Sequence, residues 1–467
     1  METFGIVVIG AGPGGYPAAI RAAQLGASVA LIEKEAMGGT CLNWGCIPTK
    51  TLIASSSLYA QIKSAREMGI TVSGASIDYG ALAARKNQVV ETLRKNVQQL
   101  VAANGIKVFN GTASFDGRNR IVVENLSSGS APITIGAEKT IIATGAISSM
   151  PGFLPRHERV VESRSFLEIR SLPSTVLVLG GGIIGCELAC MLAQLDVRVT
   201  VVELLEDILW LLDADVRRVI RQYMEKNLGI RILTGVSLEN ISADSRGVRG
   251  TAGQEELEAD LLLAALGRKP ATSELKLANA GLAANAGGFI EVDEYGRTAV
   301  ASVYAIGDVT GGPQLAHLAT SQGLVAAENA CTHRLRKNEK AVPCCIFTAP
   351  EVGTVGPSEK EAEEKGLAIK TGKYMFGALG KGMALGHPVG FVKWIADAST
   401  DQLIGAQAVG AHATELIAEA TTAIRAELTA QELARTIHAH PTLSEAWLEA
   451  AHALMGEPIH SAPRRKK

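Results

Sequence analysis

Two cysteines separated by four residues are the most reactive feature of this 467-residue sequence. Cys41 and Cys46 lie in the segment GGTCLNWGCIPTK, which spans residues 38–50. The spacing is wider than the gap of a zinc knuckle, and the sequence offers no second Cys/His cluster, so we expect no metal. Seven cysteines are sparse for a chain of this length, which makes a permanent structural disulfide the weaker alternative. The pair favours a disulfide that opens and closes during turnover.

A glycine-rich turn of the dinucleotide-binding type occurs twice. In each copy an apolar run precedes the turn, a helical stretch follows it, and a second apolar run ends on Glu33 or Glu203. The glycines are Gly10, Gly12 and Gly15 in the first copy and Gly180, Gly182 and Gly185 in the second. They allow a tight turn, close approach to a pyrophosphate and close helix packing, while the terminal carboxylate can accept hydrogen bonds from a ribose. Two nucleotide domains are therefore predicted.

The residues after the second acid bear on the choice of nucleotide. Glu203 is followed by the residues LLED, and no arginine stands among them to receive a 2′-phosphate. We therefore expect the second site to prefer NAD to NADP.

The elements that position these residues follow from the hydrophobic pattern. We predict a helix that begins around Pro48, a helix over Ile77 to Asn104 and a helix over Cys186 to Leu195. Further helices are expected over Glu415 to Ile424 and Ala430 to Thr436.

Charge and hydropathy exclude several classes of function. The chain has 45 Lys and Arg against 47 Asp and Glu, so it has no field to attract nucleic acid or an anionic membrane. The N-terminus enters a strand directly, without a basic leader, and no apolar run reaches the roughly 20 residues of a membrane span. These features predict a cytoplasmic protein with a small substrate of neutral or mixed charge.

Several segments together resemble the pyridine nucleotide-disulfide oxidoreductases, and within that family the branch that acts on lipoamide. The likeness covers essentially the whole chain apart from a short tail. The segments are residues 38–50, 141–145 (IIATG), 180–187, 303–308 (VYAIGD), 315–319 (LAHLA) and 438–445 (HAHPTLSE). The resemblance implies an α/β fold with two Rossmann-like dinucleotide-binding domains, for FAD and NAD, and a C-terminal α+β dimerisation domain.

We expect the FAD-binding domain at 1–145 and 270–340, the NAD-binding domain at 146–269 and the dimerisation domain at 341–467. By resemblance, Lys50 lies under the flavin and pairs with Glu187, an acid that would otherwise be buried alone. Other cofactor contacts implied in this way are Ala113 at the adenine end, Thr144, Gly267, Asp308 on the ribityl chain and Ala316.

The resemblance also assigns the catalytic roles. Cys41 is the interchange thiol, Cys46 is the thiol against the flavin, and His440, oriented by Glu445, is the general base supplied by the other subunit of a homodimer. Without the resemblance, Lys50 would be interpreted as a solvated lysine and His440 as a surface or core histidine. His438 is interpreted as structural.

The implied reaction is the oxidation of a dihydrolipoyl dithiol, on dihydrolipoamide or a lipoyl domain, with reduction of NAD+. The implied partners are the acyltransferase assembly of a 2-oxo acid dehydrogenase or a glycine cleavage complex. The alternatives are a glutathione-type or mercuric-type disulfide reductase, which Glu203 disfavours, and a non-catalytic flavoprotein that docks on an assembly.

Two features depart from the family pattern. The adjacent Cys344 and Cys345 precede the opening strand of the dimerisation domain, whereas mercuric reductases carry such a pair at the extreme C-terminus. We therefore interpret them as small buried hydrophobic residues. The basic tail PRRKK at 463–467 is expected to be disordered.

Overall fold

The computed structural model describes residues 1–124, 131–332 and 335–462, so the basic tail lies outside the described residues. Up to residue 145 the elements are β1 (Glu2–Ile9), α1 (Gly15–Gln24), β2 (Val29–Glu33), α2 (Gly39–Trp44), α3 (Cys46–Ser64), α4 (Tyr79–Ala103), β3 (Lys107–Asn110), β4 (Thr112–Phe115), β5 (Arg120–Glu124) and β6 (Ile133–Ile142). A short 3-10 helix, Ala65–Met68, follows α3.

The middle of the chain alternates strands and helices. Its elements are β7 (Ala146–Ser148), β8 (Val160–Glu162), α5 (Ser163–Phe166), β9 (Thr175–Leu179), α6 (Ile183–Gln194), β10 (Arg198–Glu203), α7 (Ala214–Lys226), β11 (Arg231–Thr234), β12 (Leu238–Ala243), β13 (Val248–Ala252), β14 (Glu255–Ala259), β15 (Leu261–Ala264) and β16 (Arg268–Pro270).

The last part of the chain is richer in antiparallel strands. Its elements are β17 (Val303–Ala305), α8 (Ala316–Cys331), β18 (Cys344–Ile346), β19 (Glu351–Val355), α9 (Glu359–Glu364), β20 (Ile369–Met375), α10 (Gly380–Ala384), β21 (Gly390–Asp397), β22 (Leu403–Gly410), α11 (Ala413–Arg425), α12 (Ala430–Ala434) and α13 (Glu445–Leu454). Three 3-10 helices also occur, at Leu277–Ala280, Gly307–Thr310 and Phe376–Ala378.

The first sheet has seven strands in the order β3-β2-β1-β6-β5-β4, with β17 paired to β6. Its centre is parallel, because β1 pairs in parallel with β2 and β6. Val7 and Val8 on β1 are both fully buried, as expected for a strand covered on both faces. The return of the chain to this sheet at β17 places Ile306 beside the first glycine loop, where a Cβ on Gly14 would lie 3.0 Å from the Ile306 side chain.

The second sheet repeats the parallel arrangement in the order β11-β10-β9-β15-β8. A separate antiparallel sheet, β12-β13-β14, lies between β11 and β15 in the sequence. The C-terminal region forms a five-stranded antiparallel sheet, β18-β19-β22-β21-β20, against which α11 and α13 pack. There the rings of Trp394 and Trp447 lie 4.6 Å apart, and Trp394 Nε1 donates to the carbonyl of Trp447.

This architecture confirms the predicted fold class. The exact domain limits at 145, 269 and 340 stay predictions. Of the helices in the described ranges, none combines the length and the apolar character that crossing a lipid bilayer requires.

The predicted helices are present with small shifts at their ends. The helix predicted from Pro48 begins at Cys46, and a separate short helix, α2, carries Cys41. The helix predicted at Ile77 begins at Tyr79, because the side chain of Asp78 accepts a hydrogen bond from the amide of Ala81 and caps it.

Candidate active site

The first glycine loop has a backbone that only glycine can adopt. Gly10 has a φ of +100°, and a Cβ there would lie 2.4 Å from the carbonyl oxygen of Ala143. A Cβ on Gly15 would lie 1.8 Å from the carbonyl oxygen of Gly10. The close approach lets α1 begin directly against β1, so that the positive end of its helix dipole lies at the loop.

Glu33 holds this loop in shape. One carboxylate oxygen accepts a hydrogen bond from the amide of Ala11 at 2.8 Å, and the other accepts one from the amide of Glu35 at 2.8 Å. The sequence predicts Glu33 as a ribose acceptor, and the structure gives it this second, local task.

Two other parts of the chain cover the first loop. The first residue of α2 approaches it so closely that a Cβ on Gly39 would lie 2.7 Å from the Cα of Gly12. From the other side, a Cβ on Gly323 of α8 would lie 2.3 Å from the carbonyl oxygen of Gly14. Thr320 on the same helix donates its hydroxyl to the carbonyl of Pro13 at 2.7 Å.

The other residues assigned to the flavin site lie in different elements. Ala113 is buried in β4, Ala316 is the first residue of α8, and Gly267, with a φ of +90°, follows β15 and accepts a hydrogen bond from the amide of Ser149. Thr144 follows β6, and its buried hydroxyl has no hydrogen-bond partner among the described residues. Asp308 lies in the 3-10 helix after β17.

These features fit FAD. The unpartnered hydroxyl of Thr144 is a polar group that a bound ligand can satisfy. Burial raises the pKa of the Asp308 carboxyl, although the guanidinium of Arg268, 3.9 Å away, acts in the opposite direction. A carboxyl in such surroundings is suited to hydrogen bonds with ligand hydroxyls.

The second glycine loop repeats the geometry of the first. Gly180 has a φ of +108°, and a Cβ on Gly185 would lie 2.0 Å from the carbonyl oxygen of Gly180. Glu203 accepts hydrogen bonds from the amides of Gly181 at 2.6 Å and Leu205 at 2.8 Å. A Cβ on Gly182 would meet nothing within 4 Å, so this loop is open at the position where a pyrophosphate approaches.

Cys41 and Cys46 lie on either side of the junction between α2 and α3. Both are free thiols; Cys41 is half-buried and Cys46 is exposed. A hydrogen bond with Cys41 lowers the pKa of Cys46 to about 7, and the ammonium of Lys50 also lowers it. The same hydrogen bond and burial raise the pKa of Cys41. The pair is therefore asymmetric, because the pKa of Cys46 is lowered and the pKa of Cys41 is raised.

Lys50 and Glu187 form the ion pair that the resemblance implies. Lys50 Nζ lies 2.7 Å from Glu187 Oε2, and the side chain of Glu187 is only 4 % exposed, which confirms the predicted pairing. The other oxygen of Glu187 accepts a hydrogen bond from the amide of Phe347 at 2.8 Å, and Lys50 Nζ lies 4.6 Å from the centre of the Phe347 ring. The pairing keeps a positive charge fixed near Cys46.

The sequence offers no signal for Phe347 in this site. Its contribution is a backbone amide, which any residue other than proline carries, from a position 160 residues beyond Glu187. Phe347 follows β18, so the C-terminal region takes part in fixing the ion pair.

His440 and Glu445 also contact each other as predicted. His440 Nδ1 lies 2.8 Å from Glu445 Oε1, the imidazole side chain is 79 % exposed, and the amide of Thr442 donates to the other carboxylate oxygen. This leaves Nε2 of His440 directed away from the carboxylate and available to a thiol. His438 instead has a buried side chain and contacts Glu419 at 2.6 Å, in agreement with a structural role.

Cys344 and Cys345 are half-buried residues of β18. Burial raises the pKa of both thiols, that of Cys345 to about 11, so neither is ionised at neutral pH. Their side chains pack against two different hydrophobic clusters. This packing agrees with the interpretation of the pair as small hydrophobic residues.

One cluster of carboxylates in the described ranges has the spacing of a metal site: Asp213, Asp215 and Glu359. The ammonium of Lys393, which is 1 % exposed, lies between 2.5 and 3.1 Å from all three. A lysine ammonium thus takes the place of a metal ion among these three carboxylates.

Comparison with known proteins agrees with this geometry. Residues 4–323 match the model of the pyridine nucleotide-disulphide oxidoreductases, and residues 342–451 match the dimerisation domain of the same family. The chain is 43 % identical over 464 residues, 99 % of each chain, to a protein of Chlamydia pneumoniae named dihydrolipoyl dehydrogenase.

Two solved structures are similar along nearly the whole chain. The HOCl-induced flavoprotein disulfide reductase RclA from Escherichia coli is 30 % identical, with a TM-score of 0.86 over 96 % of this chain and 99 % of that one. LpdA from Mycobacterium tuberculosis is 27 % identical, with a TM-score of 0.90 over 97 % of this chain and all of that one. With both family models and a full-length relative in agreement, the chain belongs to the pyridine nucleotide-disulphide oxidoreductases.

Proposed function

We propose that this protein oxidises a dihydrolipoyl dithiol to its disulfide and reduces NAD+ to NADH, with Cys41 and Cys46 as the redox-active pair. The asymmetry of the two thiols beside the Lys50–Glu187 ion pair carries this proposal, because it separates a thiolate from a thiol as disulfide exchange requires. The name and full-length similarity of the chlamydial relative support the choice of substrate.

FAD would be held by the first glycine loop together with Glu33, Ala113, Thr144 and Asp308. When bound, it would supply the two-electron relay between the thiol pair and the nicotinamide. The ion pair of Lys50 with Glu187 would fix a positive charge at this site, and the second loop with Glu203 would bind NAD.

The base in the proposed cycle is His440. Its Nε2 removes a proton from one thiol of the substrate, and Glu445 at Nδ1 stabilises the imidazolium that forms. The exposure of the ring and its fixed orientation suit it to meet a substrate from outside the chain.

The substrate thiolate then attacks Cys41 of the oxidised pair. A bond forms between the substrate sulfur and Cys41 Sγ, the Cys41–Cys46 bond breaks, and Cys46 leaves as a thiolate. The second substrate thiol displaces Cys41, which completes the product disulfide and leaves a reduced pair. Reoxidation of that pair transfers two electrons to NAD+, so that the sum is dithiol plus NAD+ to disulfide, NADH and a proton.

The dimerisation domain at 342–451 supports a homodimer. We propose that each active site combines the thiols of one subunit with the base of the other. Within one chain, the described hydrogen bond of the His440 ring is to Glu445, which also belongs to the C-terminal region. The proposed physiological partners are the acyltransferase of a 2-oxo acid dehydrogenase or a glycine cleavage complex.

A second candidate is reduction of another disulfide, since the family also contains RclA, a flavoprotein disulfide reductase. Glu203 without a neighbouring arginine favours NAD and so opposes NADP-dependent reduction of glutathione type.

The test is the turnover of dihydrolipoamide by the purified protein with NAD+ and with NADP+. We expect FAD to co-purify, NADH to form and NADP+ to react poorly. The variant Cys46→Ser should keep FAD but lose both turnover and the long-wavelength absorbance of a thiolate beside the flavin. Cys331→Ser, at a half-buried cysteine of α8, is the matched control and should remain active. Near-normal oxidation of dihydrolipoamide by Cys46→Ser would refute the proposal.

A further inference from the structure

A tryptophan lies between the two cysteines and is held by an arginine from another part of the fold. The guanidinium carbon of Arg164 lies 3.8 Å from the centre of the Trp44 ring. Arg164 Nη1 also lies 2.8 Å from Glu35 Oε2. We call these three residues the Trp44 clamp. A guanidinium stacked on an indole at this distance is a favourable cation–π contact.

The clamp joins the two nucleotide folds. Glu35 follows β2 of the first sheet, whereas Arg164 lies in α5, directly after β8 of the second sheet. The backbone of Arg164 is fixed, because its amide donates to Glu162 at 2.8 Å and the amide of Ser165 donates to the same carboxylate at 2.9 Å. The amide of Glu162 in turn donates to the hydroxyl of Ser165 at 3.1 Å, which completes a capping box at the start of α5, so the arginine projects from a defined position.

Trp44 is adjacent to the junction that sets the distance between the thiols. It is the last residue of α2, and Gly45 separates it from Cys46, the first residue of α3. A Cβ on Gly45 would lie 3.0 Å from the carbonyl oxygen of Thr40, which shows how tightly the chain turns there. Fixing the Trp44 ring therefore restrains α2, with Cys41, relative to α3.

The guanidinium acts on the ring and not on the thiols directly. The charged side chains that shift the pKa values of the two cysteines are Lys50 and Glu187. Loss of Arg164 should accordingly change the geometry of the pair and leave the charge environment of its thiolate as it is.

We propose that Arg164 is a positioning residue of the redox pair, which acts through Trp44 to favour the disulfide over the dithiol. A disulfide needs its two Cβ atoms within a narrow range of distance, whereas two thiols do not. A restraint that keeps Cys41 near Cys46 raises their effective concentration and makes the pair harder to reduce. The proposal rests on the proposed function only in requiring that the pair is redox-active.

The experiment measures the dithiol–disulfide equilibrium of Cys41 and Cys46 in the full-length FAD-bound protein. The protein is equilibrated in dithiothreitol redox buffers, and the free thiols are counted by alkylation and mass spectrometry. We expect Arg164→Ala and Trp44→Ala each to shift the equilibrium about threefold towards the dithiol, which corresponds to a potential about 14 mV less negative. The double variant should show no further shift, and Arg164→Lys should recover part of it.

Arg170→Ala is the matched control, since Arg170 is an exposed arginine just after α5, and it should leave the potential unchanged. Additive shifts of the potential in the double variant, or no shift in Arg164→Ala, would overturn the proposed role of the Trp44 clamp. Neither lipoamide nor NAD is present in this titration, so a wrong substrate would leave its result intact. A wild-type pair that forms no disulfide would overturn both the clamp and the proposed function.

Discussion

The loops at residues 10–15 and 180–185 have nearly the same backbone and very different surroundings. Gly10 and Gly180 have φ values of +100° and +108°, and in both loops a Cβ on the third glycine would overlap the carbonyl oxygen of the first. In both, a glutamate at the end of the next strand accepts a hydrogen bond from the residue after the first glycine. The local sequence thus builds the same anion-binding turn twice.

The two loops differ in how other parts of the chain pack against them. The segment at Gly39 and the helix α8 close on the first loop from two sides, whereas Gly182 in the second loop faces open space. We expect the contacted first loop to retain its nucleotide, because the elements packed against it would have to move before the nucleotide leaves. An open loop allows exchange. The comparison agrees with the proposed roles of FAD as a resident cofactor and NAD as a substrate.

Substitution of the third glycine should break the two sites in different ways. In Gly15→Val the side chain would overlap the carbonyl of Gly10. We expect this variant to lose bound FAD and to give much less soluble protein. In Gly185→Val we expect FAD to remain and NAD+ reduction to be lost. Flavin absorbance per protein and reduction of the flavin by dihydrolipoamide without NAD+ measure the two outcomes.

The control for these variants is Gly380→Ala at the start of α10, where a Cβ would meet nothing within 4 Å. It should behave as the parent protein does. Loss of FAD from Gly185→Val would mean that the two loops are not independent, and would contradict the assignment of one nucleotide to each.

Displacing α8, one of the two elements packed against the first loop, should weaken FAD binding without changing NAD binding. A Cβ on Gly323 would lie 2.3 Å from the carbonyl oxygen of Gly14, so Gly323→Ala must push α8 away from the loop. Overpacking of this kind costs about 1–3 kcal/mol, and we expect FAD affinity to fall about 10-fold or more. Fluorescence of released flavin after dilution gives the dissociation constant, and an unchanged value would show that the cover does not retain the cofactor.

How far the sequence predicts these sites depends on the distance along the chain between the parts. The glycine loops, Glu33 and Glu203 are local patterns, because turn, strand and helix residues stand at fixed spacings. The pairing of His440 with Glu445 follows from the family resemblance. The Lys50–Glu187 pair joins residues 137 apart and was predicted only through the family resemblance.

Contacts made by backbone groups and by crossing segments escape sequence reasoning. The amide of Phe347 on Glu187, the approach of Gly39 to Gly12 and the stacking of Arg164 on Trp44 depend on how separate elements pack. No residue type or spacing in the sequence identifies the partner in any of them. For a related reason the sequence predicts the start of α3 around Pro48, two residues late, since the tight turn at Gly45 lets the helix begin at Cys46.

The acid of the second loop should set the choice between nucleotides. Glu203→Arg replaces a carboxylate with a group that can pair with a 2′-phosphate, and we expect the NAD-to-NADP preference in kcat/KM to fall about 10-fold. Because the carboxylate also holds the amides of Gly181 and Leu205, part of the loss will come from a looser loop. Glu203→Gln separates the two effects, since it should weaken NAD binding without improving NADP binding. An unchanged preference in Glu203→Arg would contradict the ribose role.

The smallest expected effect comes from removing a single hydrogen bond between α8 and the first glycine loop. Thr320→Val keeps the shape of the side chain and removes the hydroxyl that donates to the carbonyl of Pro13 at 2.7 Å. Loss of one such bond costs about 1 kcal/mol, so the dissociation rate of FAD should rise about threefold to fivefold.

The matched control is Thr421→Val in α11, where the hydroxyl donates to the carbonyl of Ile417 in its own helix at 2.8 Å. Both variants remove a hydroxyl from a helical threonine, but only Thr320 ties a helix to the glycine loop. We therefore expect faster flavin release from Thr320→Val alone, with the KM for NAD+ unchanged in both. Equal release rates in the two variants would place the retention of FAD in the glycine contacts at Gly39 and Gly323 and not in the threonine.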